Sequence, residues 1–447
     1  MKNRFSIVLL VLLILCITGG AVVLFLLNER EAPAISLATD LAAIGASREI
    51  PFTVADQRSG VRSWQARLEQ GGKSMELGAA EFPRQGYFGR AGAHLVNGAV
   101  AVDVKKTGVQ EGEAVLVIEA RDFSFWNFLN GNVAVLRKPV LVDTEKPKIA
   151  LMDFPRYVDP GGSSIVVYRT NEPLVRHGAV INGLFHQGVE LGGDGGRCAA
   201  MLGIPYDTEK IDEMFIVAVD RAGNESKVPF SMLLHKARWQ RDKIAVSDGF
   251  LGSKIPEFSS NIKELPEGSD LDKYLFINRE VRKADNETIR RVCSVVTPEK
   301  LWDGAAFDQL PRSGRKAGFA DHRTYMYDGK DIDMQVHLGV DLASTQHAPV
   351  PAANRGRVVY AEYLGIYGNM VILDHGWGLF SLYSHLNEIE VKVGDLVERG
   401  GVLGKTGMTG MAGGDHLHFS VLVNGVFVSP LEWWDPHWIG VNILPFI

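Results

Sequence analysis

From Phe5 to Leu27 no residue carries a charge. Inside a bilayer an unpaired backbone group is costly, so a single apolar run can cross only as a helix, and about 20 residues suffice. A cleavable secretory signal has a shorter apolar core, about 7–15 residues, and then a small-x-small site. The candidate site here, Ala32-Pro-Ala34, follows the charged run NERE, so an uncleaved anchor is expected. Lys2 and Arg4 precede the span, and only Arg30, between Glu29 and Glu31, follows closely. That asymmetry leaves the N-terminus in the cytoplasm and the bulk of the chain outside. Cys16 follows Leu15, which is too large for a lipidation site, and reads as a small apolar residue of the span.

The rest of the chain reads as globular. There are 447 residues, enough for two to four domains. Basic and acidic residues number 47 and 53, for a net charge of −6, without long basic runs, so nucleic acid is not an expected partner. The 3 cysteines do not make a disulfide scaffold. Cys198 and Cys293 could pair outside the cytoplasm, but they are expected in different domains and unbridged.

Residues 31–238 are β-rich. Short alternating or β-branched runs (REIPFTVAD, EAVLVIEARD, SSIVVYRT, MFIVAVDRAGN) are separated by turn clusters such as DPGG, GGDGG and RAGN. The run ending near Asp122 echoes the one ending near Asp220, and VDTEKPKI reads as a connector. Two β-sandwiches are expected, over 31–145 and 146–238. Their pattern resembles bacterial immunoglobulin-like domains, in which a strand ending in AxDxAGN is frequent. Residues 239–330 differ. LDKYLFINREVRKADNETIRRV has the spacing of one long or two short helices, with Asp285 as a cap and Leu275, Ile277, Val281, Ile289 and Val292 on buried faces. This segment reads as a packed linker. A sharper reading lets the stretch with His322, Asp331 and Asp333 fold across a cleft and supply a further metal ligand.

The C-terminal region, 331–447, carries the chemistry. VHLGVDLA offers an imidazole and a carboxylate four residues apart, His337 and Asp341, in a segment that reads as strand into loop; Gly339 between them permits close backbone approach. HLHFSVLV reads as a strand, so His416 and His418 project from one face. A catalytic zinc takes three protein ligands and keeps one position open. His337 and Asp341 would be two of these and His418 or His416 the third, leaving the other and His385 for proton transfer. His186, His235, His322 and His437 read as ordinary core or surface histidines, and His375 as structural or cleft-lining.

In order, HLGVDLA, APVPAANRGRVVYAE, YGNMVILDHGWGLFSLYSHL, VKVGDLVERGGVLGKTGMTG, GGDHLHF and NGVFVSPLEWW resemble the lysostaphin-type zinc peptidases, the M23 family of peptidoglycan endopeptidases. The resemblance implies an antiparallel β peptidase domain with a loop-lined groove. It implies Zn2+ held by His337, Asp341 and His418, with His385 and His416 assisting catalysis. Ser420 stands where many relatives have glutamate, which touches local packing or subsite contacts and not the ligand set. Gly407–Gly414, Tyr383 and Asn369 are candidate groove residues. The expectation is thus a mostly β chain: an anchor over 1–30, two immunoglobulin-like domains, a partly helical linker, and a peptidase. It would hydrolyse stem peptides or cross-links of peptidoglycan through a zinc-activated water on the periplasmic side of a bacterial inner membrane. The alternative is a non-catalytic or autoinhibited scaffold that activates other wall hydrolases. Protein regulators are expected partners in either case.

Overall fold

The computed structural model describes residues 2–86, 91–192 and 195–447; for residues 2–6, 24, 26 and 27 it describes the backbone alone. The charged stub 1–4 and the turn cluster at 192–196 fall partly outside the described residues. The first element is a helix, Lys2–Leu27, of 26 residues. Its described side chains, 7–23 and Phe25, are all exposed. Among the described residues no helix is long and apolar enough to cross a membrane.

The chain forms two compact units, residues 1–146 with 219–225, and residues 147–218 with 226–447. In the first, a three-stranded sheet (Ala34–Leu37, Ser47–Ala55, Leu95–Asp103) faces a five-stranded one that includes Val61–Gln70, Gly112–Asp122 and Val133–Val142. Phe52 and Val54 from one sheet and Leu68, Leu116 and Ile118 from the other share one core. Alternation along the strands puts the apolar positions inside, as a two-layer packing requires. The echo between the two AxD segments is structural. Asn132 Nδ2 donates to Glu29 O (3.1 Å), Glu31 O (3.1 Å) and Asp122 Oδ2 (2.8 Å). Asn224 Nδ2 donates likewise to Asp143 O (2.8 Å), Glu145 O (3.1 Å) and Asp220 Oδ2 (2.8 Å).

In the second unit a seven-stranded sheet contains Ile149–Asp153, Ser163–Thr170 and Arg197–Gly203. Val166, Tyr168, Ala200 and Leu202 fill one core, whereas Ile165, Val167, Ala199 and Met201 join the core of the C-terminal sheet. This sheet is therefore covered on both faces and is no free-standing sandwich. The unbroken run SSIVVYRT is the sequence trace of that double burial. Trp433 Nε1 donates to Ser163 Oγ (3.0 Å) and Ser163 N to Glu432 Oε2 (2.7 Å), tying the C-terminal end to it. Cys198 and Cys293 are both buried and free.

The intermediate segment is helical at Asp248–Asn261 and again from Asp270 to Val292, with a π-turn at Ile277–Val281. The second helix starts at a capping box formed by Ser269 and Asp272. Asp285 is not a cap. It lies inside the helix, buried, and accepts the Ile366 N–H (2.8 Å). Ile277 and Ile289 are buried as expected, with Leu275, Val281 and Val292 packed beside them. The segment also supplies strands: Arg241–Ala245 pairs with His322–Tyr327, which pairs with Lys330–Val336, so a hairpin straddles residue 331.

The last sheet has ten strands, ordered along its main path Gly314–Ala317, Val340–Ala343, Leu417–Val423, Leu379–Ile389, Gly368–Asp374, Gly356–Leu364 and Leu396–Val397. Leu417–Val423 is buried along its whole length. Asp341 stands directly opposite His418 in the antiparallel register, and Ser384 opposite His418 on the other side. The sheet thereby brings together residues far apart in sequence.

Candidate active site

His337 and Asp341 flank a break between the strands Lys330–Val336 and Val340–Ala343. His337 Nε2 lies 3.0 Å from Asp341 Oδ1 and 2.9 Å from His418 Nδ1, and His418 Nδ1 lies 3.0 Å from Asp341 Oδ1. The three side chains are buried. Their outer partners fix the tautomers. His337 Nδ1–H donates to Gly318 O (2.7 Å). His418 Nε2–H donates to Ser420 Oγ (3.0 Å), because the Ser420 hydroxyl is already committed to Leu338 O (2.8 Å). Nε2 of His337 and Nδ1 of His418 therefore both present lone pairs beside a carboxylate. Three acceptors facing one another call for a cation between them, and two imidazoles with a carboxylate suit a divalent metal. Burial works against Asp341 ionising, but the imidazoles of His337, His416 and His418 outweigh it and hold the carboxyl well below its usual range. Burial lowers His418 to about 4, with Asp341 pulling the other way.

The room that Gly339 leaves is taken by neighbouring side chains. A Cβ there would sit 2.5 Å from His418 Nε2 and 2.6 Å from Ser420 Oγ. The glycine makes room for the His418–Ser420 pair.

His385 and His416 stand at the rim, ring centroids 4.8 Å apart. His416 Nδ1 donates to Gly414 O (2.7 Å), and its Nε2 lies 3.5 Å from Asp341 Oδ1. His385 Nδ1 donates to Thr409 O (2.8 Å), with the residue at φ 63°. Each ring thus turns its Nε2 lone pair away from the backbone. Burial lowers His416, yet the Asp341 carboxylate prevails and raises it; burial and the charges of His416 and His418 hold His385 well below 6.5.

The stretch before His337 contributes in a way the sequence did not suggest. Among the described residues the donor cluster at this site is His337, Asp341 and His418. His322 is exposed and packs its ring near Tyr206, and Asp333 is tied to Asn278, Arg279 and Gln335. Instead of a fourth ligand the stretch supplies a cation: Arg323 donates to Asp341 Oδ2 (3.0 Å). Tyr383 is no groove residue; it is 1% exposed, and its hydroxyl accepts the Ala353 N–H (2.8 Å). Asn369 braces Leu386 O (3.1 Å). His375 is structural, held between Arg355 O and Ser381 Oγ. His186 is buried as a core histidine, but neither of its ring nitrogens has a hydrogen-bond partner among the described residues.

A cavity of ≈ 760 Å³ opens over the centre. Met411 and Gly413 of the glycine-rich loop line it, together with Phe250, Tyr274 and Arg282 of the helical segment. Helix Asp248–Asn261 also braces that loop: Lys254 Nζ donates to Met408 O, and Glu257 Oε1 accepts the Gly410 N–H (2.5 Å).

An antiparallel sheet that converges two imidazoles and a carboxylate, with two more imidazoles at the rim of a cavity, fits a metal-dependent hydrolase. Residues 335–430 match Peptidase family M23, and the chain carries a C-terminal domain of that family. A DD-carboxypeptidase/endopeptidase, Mpg, of Neisseria meningitidis is 37% identical over 98 residues, which are 22% of this chain and 23% of that protein. The peptidoglycan DD-endopeptidase ShyA of Vibrio cholerae is 25% identical over 240 residues, 50% of this chain and 51% of that protein. The chain thus spans about a quarter to a half of the length of these curated relatives. A crystal structure described as an M23 peptidase from Pseudomonas aeruginosa is 25% identical, covering 62% of this chain and 94% of that one, at a TM-score of 0.41.

Proposed function

We propose that this chain is a membrane-anchored zinc endopeptidase that hydrolyses stem peptides or cross-links of peptidoglycan on the outer side of a bacterial cytoplasmic membrane. The observation that carries this reading is the convergence of His337 Nε2, Asp341 Oδ1 and His418 Nδ1 within 3.0 Å of one another, with His385 and His416 beside them. His337, Asp341 and His418 would hold the ion, and zinc, when bound there, supplies Lewis acidity and lowers the pKa of water in its open position. His416 Nε2 takes the proton of the attacking water and later returns it to the departing amine nitrogen. His385, fixed by Thr409 O, faces the same space, and His416, while it holds the proton, donates to the oxyanion of the tetrahedral intermediate. Lys243, Arg282, Lys316 and Arg323 line the cavity, which suits a peptide carrying free carboxylates, as wall stem peptides do. The helix Lys2–Leu27, uncharged from Phe5 to Leu27, supports anchoring, and Lys2 and Arg4 support the orientation.

The scaffold reading is weaker, because no residue of the donor set is missing. Purified full-length chain, incubated with peptidoglycan with and without a zinc chelator, tests the proposal. Chelator-sensitive release of peptide fragments, identified by mass spectrometry, is the expected result. Metal-loaded protein that releases none would overturn it.

A further inference from the structure

The first unit contains a second group of converging donors, remote in sequence from the peptidase. Glu29 lies between the helix Lys2–Leu27 and the strand Ala34–Leu37. Asp56 follows the strand Ser47–Ala55, and Asp122 ends the strand Gly112–Asp122. All three are buried, at 5%, 4% and 0% exposure. One carboxylate oxygen from each lies within 4.8 Å of the other two.

Backbone amides aim these groups. Asp56 Oδ1 accepts from Arg58 N (3.1 Å) and Gly60 N (2.6 Å). Asp122 Oδ1 accepts from Ser124 N (3.0 Å) and Asn132 N (2.7 Å). Glu29 Oε1 accepts from Ser59 N (3.0 Å). Glu29 Oε2 is different. It is buried, among the described residues it has no hydrogen-bond partner, and its side chain is only 2% exposed. The Arg58 guanidinium is 3.8 Å away, beyond hydrogen-bond range, and is itself 64% exposed. An orphaned carboxylate oxygen inside a protein is expensive. Burial first, and then the charges of Asp56 and Asp122, push the Glu29 carboxyl upward.

We infer that Glu29, Asp56 and Asp122 form a calcium site that clamps the segment after the N-terminal helix onto the first β-sandwich. The donors are all hard oxygens, which argues against zinc. Oxygens about 2.3–2.6 Å from one ion can stand about 5 Å apart, which matches the observed spread. Magnesium demands a tighter octahedron and keeps more of its water. The ion gives Glu29 Oε2 its missing partner and offsets three crowded charges. It also fixes residues 29–31, whose carbonyls already bind Asn132.

The test uses the full chain in detergent, stripped of weakly held ions and then dialysed against radioactive calcium. One calcium per chain is expected at this site, with a Kd on the order of 10⁻⁴–10⁻³ M, the range of extracellular modules. Glu29→Gln keeps the shape and removes the charge, and should weaken binding by about tenfold or more. No binding at millimolar calcium would overturn the site, as would full-strength binding in Glu29→Gln. A second readout needs no variant. Tryptic cleavage after the exposed Arg30 should slow with calcium and not with magnesium, other sites in the digest serving as controls. An unchanged rate at Arg30 would count against the clamp.

Discussion

Ser420 Oγ sits 3.0 Å from His418 Nε2, accepting its N–H, and donates its own hydrogen bond to Leu338 O. This one hydroxyl determines which nitrogen of His418 faces His337 and Asp341. Ser420→Ala should weaken metal binding by about 10–100-fold, the usual effect of removing an outer partner of a ligating histidine. Metal titration against a competing chelator measures it. Wild-type affinity in that variant would mean that packing alone orients His418.

Gly339→Ala is the second expectation. The added methyl would lie 2.5 Å from His418 Nε2, against a ring buried on all sides. Overpacking of this kind costs about 1–3 kcal/mol, and here the easiest relief is to turn His418 out of line. Metal affinity and activity should fall together while the far-ultraviolet circular dichroism is kept. An active, metal-binding variant would show that the strand break can shift.

The roles proposed for the histidines separate under mutation. His337→Ala removes one of three donors and should lose both metal and turnover. His416→Ala should keep most of its metal and lose about 10²–10⁴-fold in kcat, the span of general acid–base catalysis. If His416→Ala turned over at the wild-type rate, the proton would have to travel by another group.

A stability prediction concerns His186. Burial without partners lowers its pKa from 6.5 to about 4 in the folded chain. The unfolded chain therefore takes up the proton first as the pH falls. The contribution is complete above pH 6.5 and is lost progressively as the pH falls, roughly 3 kcal/mol being gone by about pH 4. Asp285 works in the opposite direction, since burial raises its carboxyl to about 6, and stability from that group grows on acidification. The difference between wild type and His186→Leu isolates the histidine. Denaturant midpoints at pH 7 and pH 4.5 should converge less in wild type than in His186→Leu. Equal acid sensitivity in the two would place the proton elsewhere.

Much of this protein is written locally. The alternating and β-branched runs gave the strands, because side chains alternate between two faces with a period of two. The spacing of His337 with Asp341, and of His416 with His418, pointed to the same cluster that the sheet assembles. The repeat ending in Asp122 and Asp220 surfaced as the same asparagine network twice.

What only the tertiary structure decided is who stands behind each of these residues. Ser420 looked like a packing substitution and is the partner of His418. Asp285 looked like a helix cap and instead holds a turn of the peptidase through Ile366 N. The stretch before His337 read as a packed linker, with a further metal ligand as the sharper reading, and it brought Arg323 to Asp341 Oδ2. Glu29, Asp56 and Asp122 stand far apart in sequence and meet only because separate strands and a linker end at one place. Local sequence fixes periodicity and turn chemistry, which depend on neighbours along the chain. Hydrogen-bond partners across a sheet depend on register and on which faces are buried, and those are settled only when the whole core packs.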